Sequence, residues 1–237
     1  MSLFIKKAGK TLLYVLVYVD DILITGTDNR LIHQAIEVLH SRFALKALGA
    51  VNYFLGFEAF RNDHGIYLTQ TKYILDLLTK TQLLNSKLCD TPICSSVKLS
   101  LYSGKAFADP TLYRSTLGAL QYLTYTKSDI AFPVNKLSQF LAAPADIHWQ
   151  SCKRILRYLK GTAGLGLLFR PARQLYIEAF TDADWASCMD DRRSTNGCCV
   201  FLGSNLITWY SRKQRVAAWS SIEAEYRALS QASTEVI

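Results

Sequence analysis

The sequence predicts an α+β fold: antiparallel hairpins open the chain, helices fill its middle, and further strands lead into a last helix. Three observations predict it. Apolar residues form short strand-like blocks through residues 2–26 and again through 165–211. They recur at helical spacing through 28–43 and 111–159. Gly9-Lys10 and Asn62–Gly65 read as hairpin turns between neighbouring blocks. Half of the 237 residues are apolar and 12% are aromatic, which excludes a disordered chain and leaves enough material for one large or two small cores.

Residues 2–8 and 11–18 are predicted strands, and "DILIT" is the next, so "YVDD" falls at a tight reversal. Asp28 is placed to cap a helix carrying Ile32, Ile36, Leu39 and Phe43 on one face. "VNYFLGFEAFRNDHGIYLTQ" reads as a second hairpin, followed by a helix from about Thr71 to Leu84. Residues 85–110, with Pro92, Gly104, Pro110 and several serines, read as a linker. Three helices are expected near 111–126, 129–141 and 146–159. Beyond Gly161, "LGLLFR", "LYIEAFTDADW", "CCVFLG" and "LITWYS" read as strands, and a helix begins near Ser220.

A net charge of +8 suggests an anionic partner. The third of the middle helices gathers Trp149, Lys153, Arg154, Arg157, Tyr158 and Lys160, either a solvated helix side or a surface that tracks phosphates. Six cysteines form no CxxC pair, so small buried thiols in a reducing, intracellular compartment are expected rather than zinc ligands or a disulfide framework. No apolar run reaches the ~20 residues of a membrane helix, so no membrane partner is expected. The first residues are too short and too soon charged for a signal peptide.

The carboxylates carry the chemistry. Asp20 and Asp21 are adjacent between apolar blocks, where like charges repel and a cation relieves them. Asp182 ends an apolar strand, and Asp184 shares its face two residues on. In "SSIEAEYRALS", Ser220 or Ser221 is the N-cap and Glu223 a first-turn residue that favours the helix dipole. Glu225 sits instead at the margin of an expected buried stripe of Ile222, Tyr226, Leu229, Ser233 and Val236. A carboxylate there needs a partner, and Asp182 supplies one through a shared metal such as magnesium.

The blocks "YVDDILITG", "LGAVNYFLGFEAFR", "GIYLTQTKYILDLL", "YRSTLGALQYLT", "WQSCKRILRYLKGT", "FTDADWAS", "RRSTNGCCVFLG", "LITWYSRKQ" and "SSIEAEYRALS" together resemble the Pol polyprotein of copia-type LTR retrotransposons, in the order of its reverse transcriptase and ribonuclease H. The pattern is typical of plant elements. It also resembles a short open reading frame of copia origin carried in plant mitochondrial genomes.

The resemblance implies a partial palm and the start of a thumb over 1–85, a helical thumb and connection over 86–160, and an incomplete ribonuclease H-like α/β domain over 161–237. It implies that Asp20 and Asp21 hold Mg²⁺, or Mn²⁺, at a polymerase site, with Tyr18 near the primer terminus. Asp182 and Glu225 match metal-holding carboxylates of the nuclease. Lys153, Arg154, Arg157 and Lys160 would grip the backbone of an RNA–DNA hybrid or DNA duplex. The family's polymerase needs a further aspartate on an earlier palm strand, and its nuclease needs a third and usually a fourth. Both sites are therefore expected to be incomplete, the chain inactive alone, and a fingers–palm segment of Pol a partner that completes it. Trp219 and Ile222 stand where the family usually has Arg and Thr.

Overall fold

The computed structural model describes residues 2–94, 96–172 and 174–237. They fall into two compact units, 1–52 and 53–237. The mixture of helices and antiparallel sheets is the α+β class that the sequence predicts.

In the first unit, β1 (Ser2–Ala8), β2 (Thr11–Tyr18) and β3 (Asp21–Gly26) form an antiparallel sheet in chain order. Gly9 takes a φ of +60°, a conformation that glycine adopts without a Cβ penalty, and it closes the first turn. Asp28 accepts a hydrogen bond from the Arg30 N–H (2.8 Å) and starts α1 (Asn29–Arg42). Ile32, Ile36 and Leu39 are half-buried, but Phe43 ends the helix in an extended conformation and is exposed, so the apolar stripe is one residue shorter than expected. Leu13 is the one hydrophobic residue of this unit that is buried, among the described residues, and both faces of β1 are exposed.

The second unit is built on a helical core. α2 (Thr71–Lys80), α3 (Pro110–Leu123), α4 (Ala131–Ser138) and α5 (Asp146–Gly161) enclose Ile74, Leu78, Tyr113, Leu117, Leu120, Val134, Ile155 and Leu159. Aspartate and proline set the start of α3: Asp109 accepts from the Leu112 N–H (2.9 Å) and Pro110 takes the first helical position. One sheet runs β4 (Tyr53–Phe54), β5 (Phe57–Asn62), β6 (Gly65–Thr69), β7 (Leu167–Phe169). "LGLLFR" therefore does not join the later strands as its position suggests. Gly65 and Gly166 permit this pairing, because a Cβ at either would lie 2.0 Å from a backbone oxygen, of Phe169 or Leu68. A second sheet has the order β10 (Asn205–Lys213), β9 (Thr195–Leu202), β8 (Ile177–Asp184), all antiparallel, and α6 (Ser221–Val236) packs on β8 and β9.

The buried stripe of α6 is Ala224, Ala228 and Ala232, not the larger residues expected. Alanines let the helix approach Ala183 and Val200 closely, and Ile222, Tyr226 and Leu229 are left more than half exposed. A buried amide network anchors the helix: Gln214 donates to Asn196 (2.6 Å) and to the Ala224 carbonyl (2.9 Å), and Asn196 donates to Gln231 (3.0 Å).

His148 is fully buried and stacks on Phe140 with ring centroids 3.8 Å apart. Its Nδ1 accepts the Ala145 N–H (3.0 Å), so the ring proton is on Nε2, 3.2 Å from the Ser100 carbonyl. Burial pushes the imidazole below its ordinary value, against the opposing pull of the Ser100 carbonyl and Asp190. The unfolded chain takes up this proton near pH 6.5 and the folded chain only at lower pH. Stability is thus full above about pH 6.5 and falls below it, by at most about 1.4 kcal/mol per pH unit for this one group. The urea midpoint should drop more steeply between about pH 7 and about pH 5 in the natural chain than in His148→Gln.

Candidate functional site

At the tip of the β2–β3 hairpin Tyr18 pairs with Asp21, so Val19 and Asp20 are the two turn residues. Val19 has a φ of +52° and Asp20 is not in the left-handed region, the pattern of a II′ turn whose first position favours glycine. A β-branched residue there costs about 1–3 kcal/mol and is held by the strands on either side. The consequence is positional: Tyr18, Val19, Asp20 and Asp21 are all exposed at one end of the sheet.

The second acidic group lies at the end of β8. Asp182 and Asp184 are exposed, and Ala183 between them is buried against Ala218, Ala224 and Ala228. Glu225 Oε1 accepts a hydrogen bond from the Ala183 N–H (3.2 Å), which brings it beside the residue that follows Asp182. Across the ladder Asp182 faces Gly197, where an added Cβ would meet nothing within 4 Å, so the space next to the carboxylate is open. Glu223 is engaged elsewhere: it accepts from the Trp219 N–H (2.7 Å) and pairs with Arg227 (2.6 Å), while Ser220 caps the helix. Trp219 and Ile222 are exposed at this helix start. Among the described residues, no cluster of three or more His, Cys, Asp or Glu side chains is placed to hold a metal.

The basic face of α5 is turned to internal use. Arg154 donates to Thr91 (carbonyl 3.1 Å, hydroxyl 2.7 Å), Arg157 to the Lys87 carbonyl (2.7 Å), and Lys160 to the Ser86 carbonyl (2.7 Å). Trp149 stacks on Phe107, and the Tyr158 hydroxyl donates to Asp129 (2.5 Å). Lys153 has no hydrogen bond or ion pair among the described residues. The stretch expected as a linker is therefore pinned along much of its length, with Leu99 buried in the helical core. Arg157→Ala should loosen residues 86–91, at a cost on the order of 1 kcal/mol, and speed cleavage beside exposed Leu88 in limited subtilisin digestion.

Local sequence pattern points only weakly to the Gln214–Asn196–Gln231 network that anchors α6. Its one visible signal is polar residues inside otherwise apolar strand blocks.

Comparison with known proteins defines the class. Residues 1–95 match the family model of the reverse transcriptase, an RNA-dependent DNA polymerase. The chain belongs to this family, in the branch of copia-type retrotransposon Pol proteins. It is 48% identical over 99% of its length to the retrovirus-related Pol polyprotein from transposon RE1 of Arabidopsis thaliana, of which it spans 16%. It is 42% identical over 94% of its length to an uncharacterized mitochondrial protein of Arabidopsis thaliana, of which it covers 93%. A Ty5-1 transposon protein of Saccharomyces cerevisiae is 32% identical over 99% of the chain, which covers 77% of that protein. No solved structure matches it significantly. Among the described residues no helix is long and apolar enough to cross a membrane.

Proposed function

We propose that the chain is the later part of a reverse-transcriptase palm (1–85), a thumb and connection (86–160) and the start of a ribonuclease H-like domain (161–237). The observation that carries the nuclease part is the hydrogen bond from the Ala183 N–H to Glu225, which sets two carboxylate-bearing elements side by side at an open strand end. The exposed Asp20–Asp21 turn supports the polymerase part.

The donors at both places are carboxylate oxygens, the hard ligands that suit Mg²⁺ or Mn²⁺. Asp20 and Asp21 would hold the ion at the first place, and Asp182 with Glu225 at the second. A bound divalent ion there supplies activation of the attacking oxygen and charge neutralisation at the phosphate. The chain's own part is positional: the turn and the start of β3 present one pair, and the end of β8 with a helix seated by alanines and amides presents the other. Each place would supply two carboxylates, and further ligands would come from other parts of a Pol polypeptide. The partner in this reading is the backbone of an RNA–DNA hybrid or DNA duplex, attracted by the net charge of +8.

Alone, the chain is expected to be inactive. The test is purified protein with Mg²⁺ or Mn²⁺ on a primed template and on an RNA–DNA hybrid. No turnover is expected; extension lost in Asp20→Asn, or cleavage lost in Asp182→Asn, would overturn the inactivity.

A further inference from the structure

Cys188 lies in the loop between β8 and β9 and is buried, with 3% of its surface exposed. The Lys213 ammonium, at the end of β10, donates to its sulfur at 3.0 Å. The same Nζ pairs with Asp191 (2.8 Å) and donates to the Gln139 amide oxygen (3.2 Å) at the end of α4. A sulfur, an amine and a carboxylate thus meet where three elements converge. The Lys213 side chain remains about a fifth exposed and Asp191 about a third, so small solutes reach the cluster from that side. The other described cysteines have no lysine nitrogen on the sulfur; Cys152 is sealed in the helical core, where burial pushes its thiol up to about 12.

We propose that Cys188 and Lys213 form a reversible, peroxide-driven sulfur–nitrogen cross-link. In the first step the Cys188 thiolate attacks one oxygen of hydrogen peroxide. The O–O bond breaks, hydroxide leaves and a sulfenic acid remains, with two electrons passed from sulfur to peroxide. In the second, the Lys213 ammonium gives a proton to that hydroxide, which becomes the first water, and the amine lone pair attacks the sulfur while Asp191 holds the nitrogen in place. The S–N bond forms, the S–O bond breaks, and the hydroxyl departs as a second water. The sum is thiol plus amine plus peroxide giving sulfenamide plus two waters. Condensation of a sulfenic acid with a nitrogen has precedent at the backbone, and here an amine stands already within contact of the sulfur. Enclosure of the sulfur favours this outcome, because a second peroxide must enter before the neighbouring amine reacts. Closing the link ties the loop after Asp182 and Asp184 covalently to β10. Burial works against the charge on Lys213, but its bonds to Asp191 and Cys188 outweigh that and hold the ammonium above its ordinary range, so the amine is freed only when the peroxide step delivers hydroxide beside it.

The experiment treats the purified full chain with hydrogen peroxide and digests it without reductant for peptide mass spectrometry. The expected product joins the peptides of Cys188 and Lys213, about 2 Da lighter than their sum for the two hydrogens lost. It returns to separate peptides with dithiothreitol and is absent in Cys188→Ser and in Lys213→Arg, which keeps the charge beside Asp191. The natural chain alone decides the matter. Cys188 recovered unreacted or as a sulfinic acid, with Lys213 unmodified, overturns the proposal, as does a link to any other residue.

Discussion

Asp182→Asn, introduced into a longer Pol polypeptide containing this segment, is expected to lower cleavage of an RNA–DNA hybrid by on the order of 10²-fold or more, with primer extension within about twofold. The change keeps the size of the side chain and removes the charge that a divalent ion would balance. Glu225 would still accept the Ala183 N–H, so the helix should stay seated and the loss should fall on kcat rather than on folding. Asp20→Asn should do the opposite, stopping extension and sparing cleavage. Glu223→Gln separates chemistry from scaffolding. It weakens the pairing with Arg227 and should cost less than about 1 kcal/mol of stability while leaving cleavage intact. A joint loss of both activities in Asp182→Asn would count against two separate acidic sites.

Tyr113→Ala is expected to destabilise the second unit by about 3–5 kcal/mol. Tyr113 is fully buried among Leu117, Leu137 and the other core residues, and its hydroxyl donates to the Leu137 carbonyl at 2.8 Å. Truncation leaves a cavity the helices cannot close and withdraws the donor. Tyr113→Phe isolates the second effect. The Leu137 carbonyl keeps the Phe140 N–H as a partner at 3.1 Å, so this change should cost only about 0.5–1.5 kcal/mol. Calorimetry should show a melting point lowered by about 6–20 °C for alanine and by a few degrees for phenylalanine. Equal losses in the two variants would mean that the hydroxyl, and not the packed ring, holds α3 to α4.

Local pattern made most elements legible before the structure. The Gly9-Lys10 turn, the Asp28 cap and the three middle helices depend on neighbours in sequence, and the residues announce them. What depended on distant partners was not legible. The sequence places Glu225 at the margin of a stripe of large residues, yet the face that packs is the alanine one, because close approach to the sheet rewards small side chains. The 85–110 stretch has a linker's composition, but the donors that pin it lie some 60–75 positions away in α5. Those same arginines and Lys160 read as phosphate ligands from sequence, since nothing local reveals a carbonyl already waiting for them. β7 joined the earlier sheet because Gly65 and Gly166 clear its path, a requirement visible only across the ladder.

The pinning of residues 86–91 bears on how ionic strength acts on this protein. Its anchors are cations bound to uncharged carbonyl and hydroxyl oxygens, and added salt screens such contacts far less than it screens pairs of full charges. A titration with potassium chloride should therefore strip polyanions from the surface while α5 keeps its hold on the strap. Any slope of affinity against salt then reports counterions released by the bound polymer rather than a scaffold coming apart.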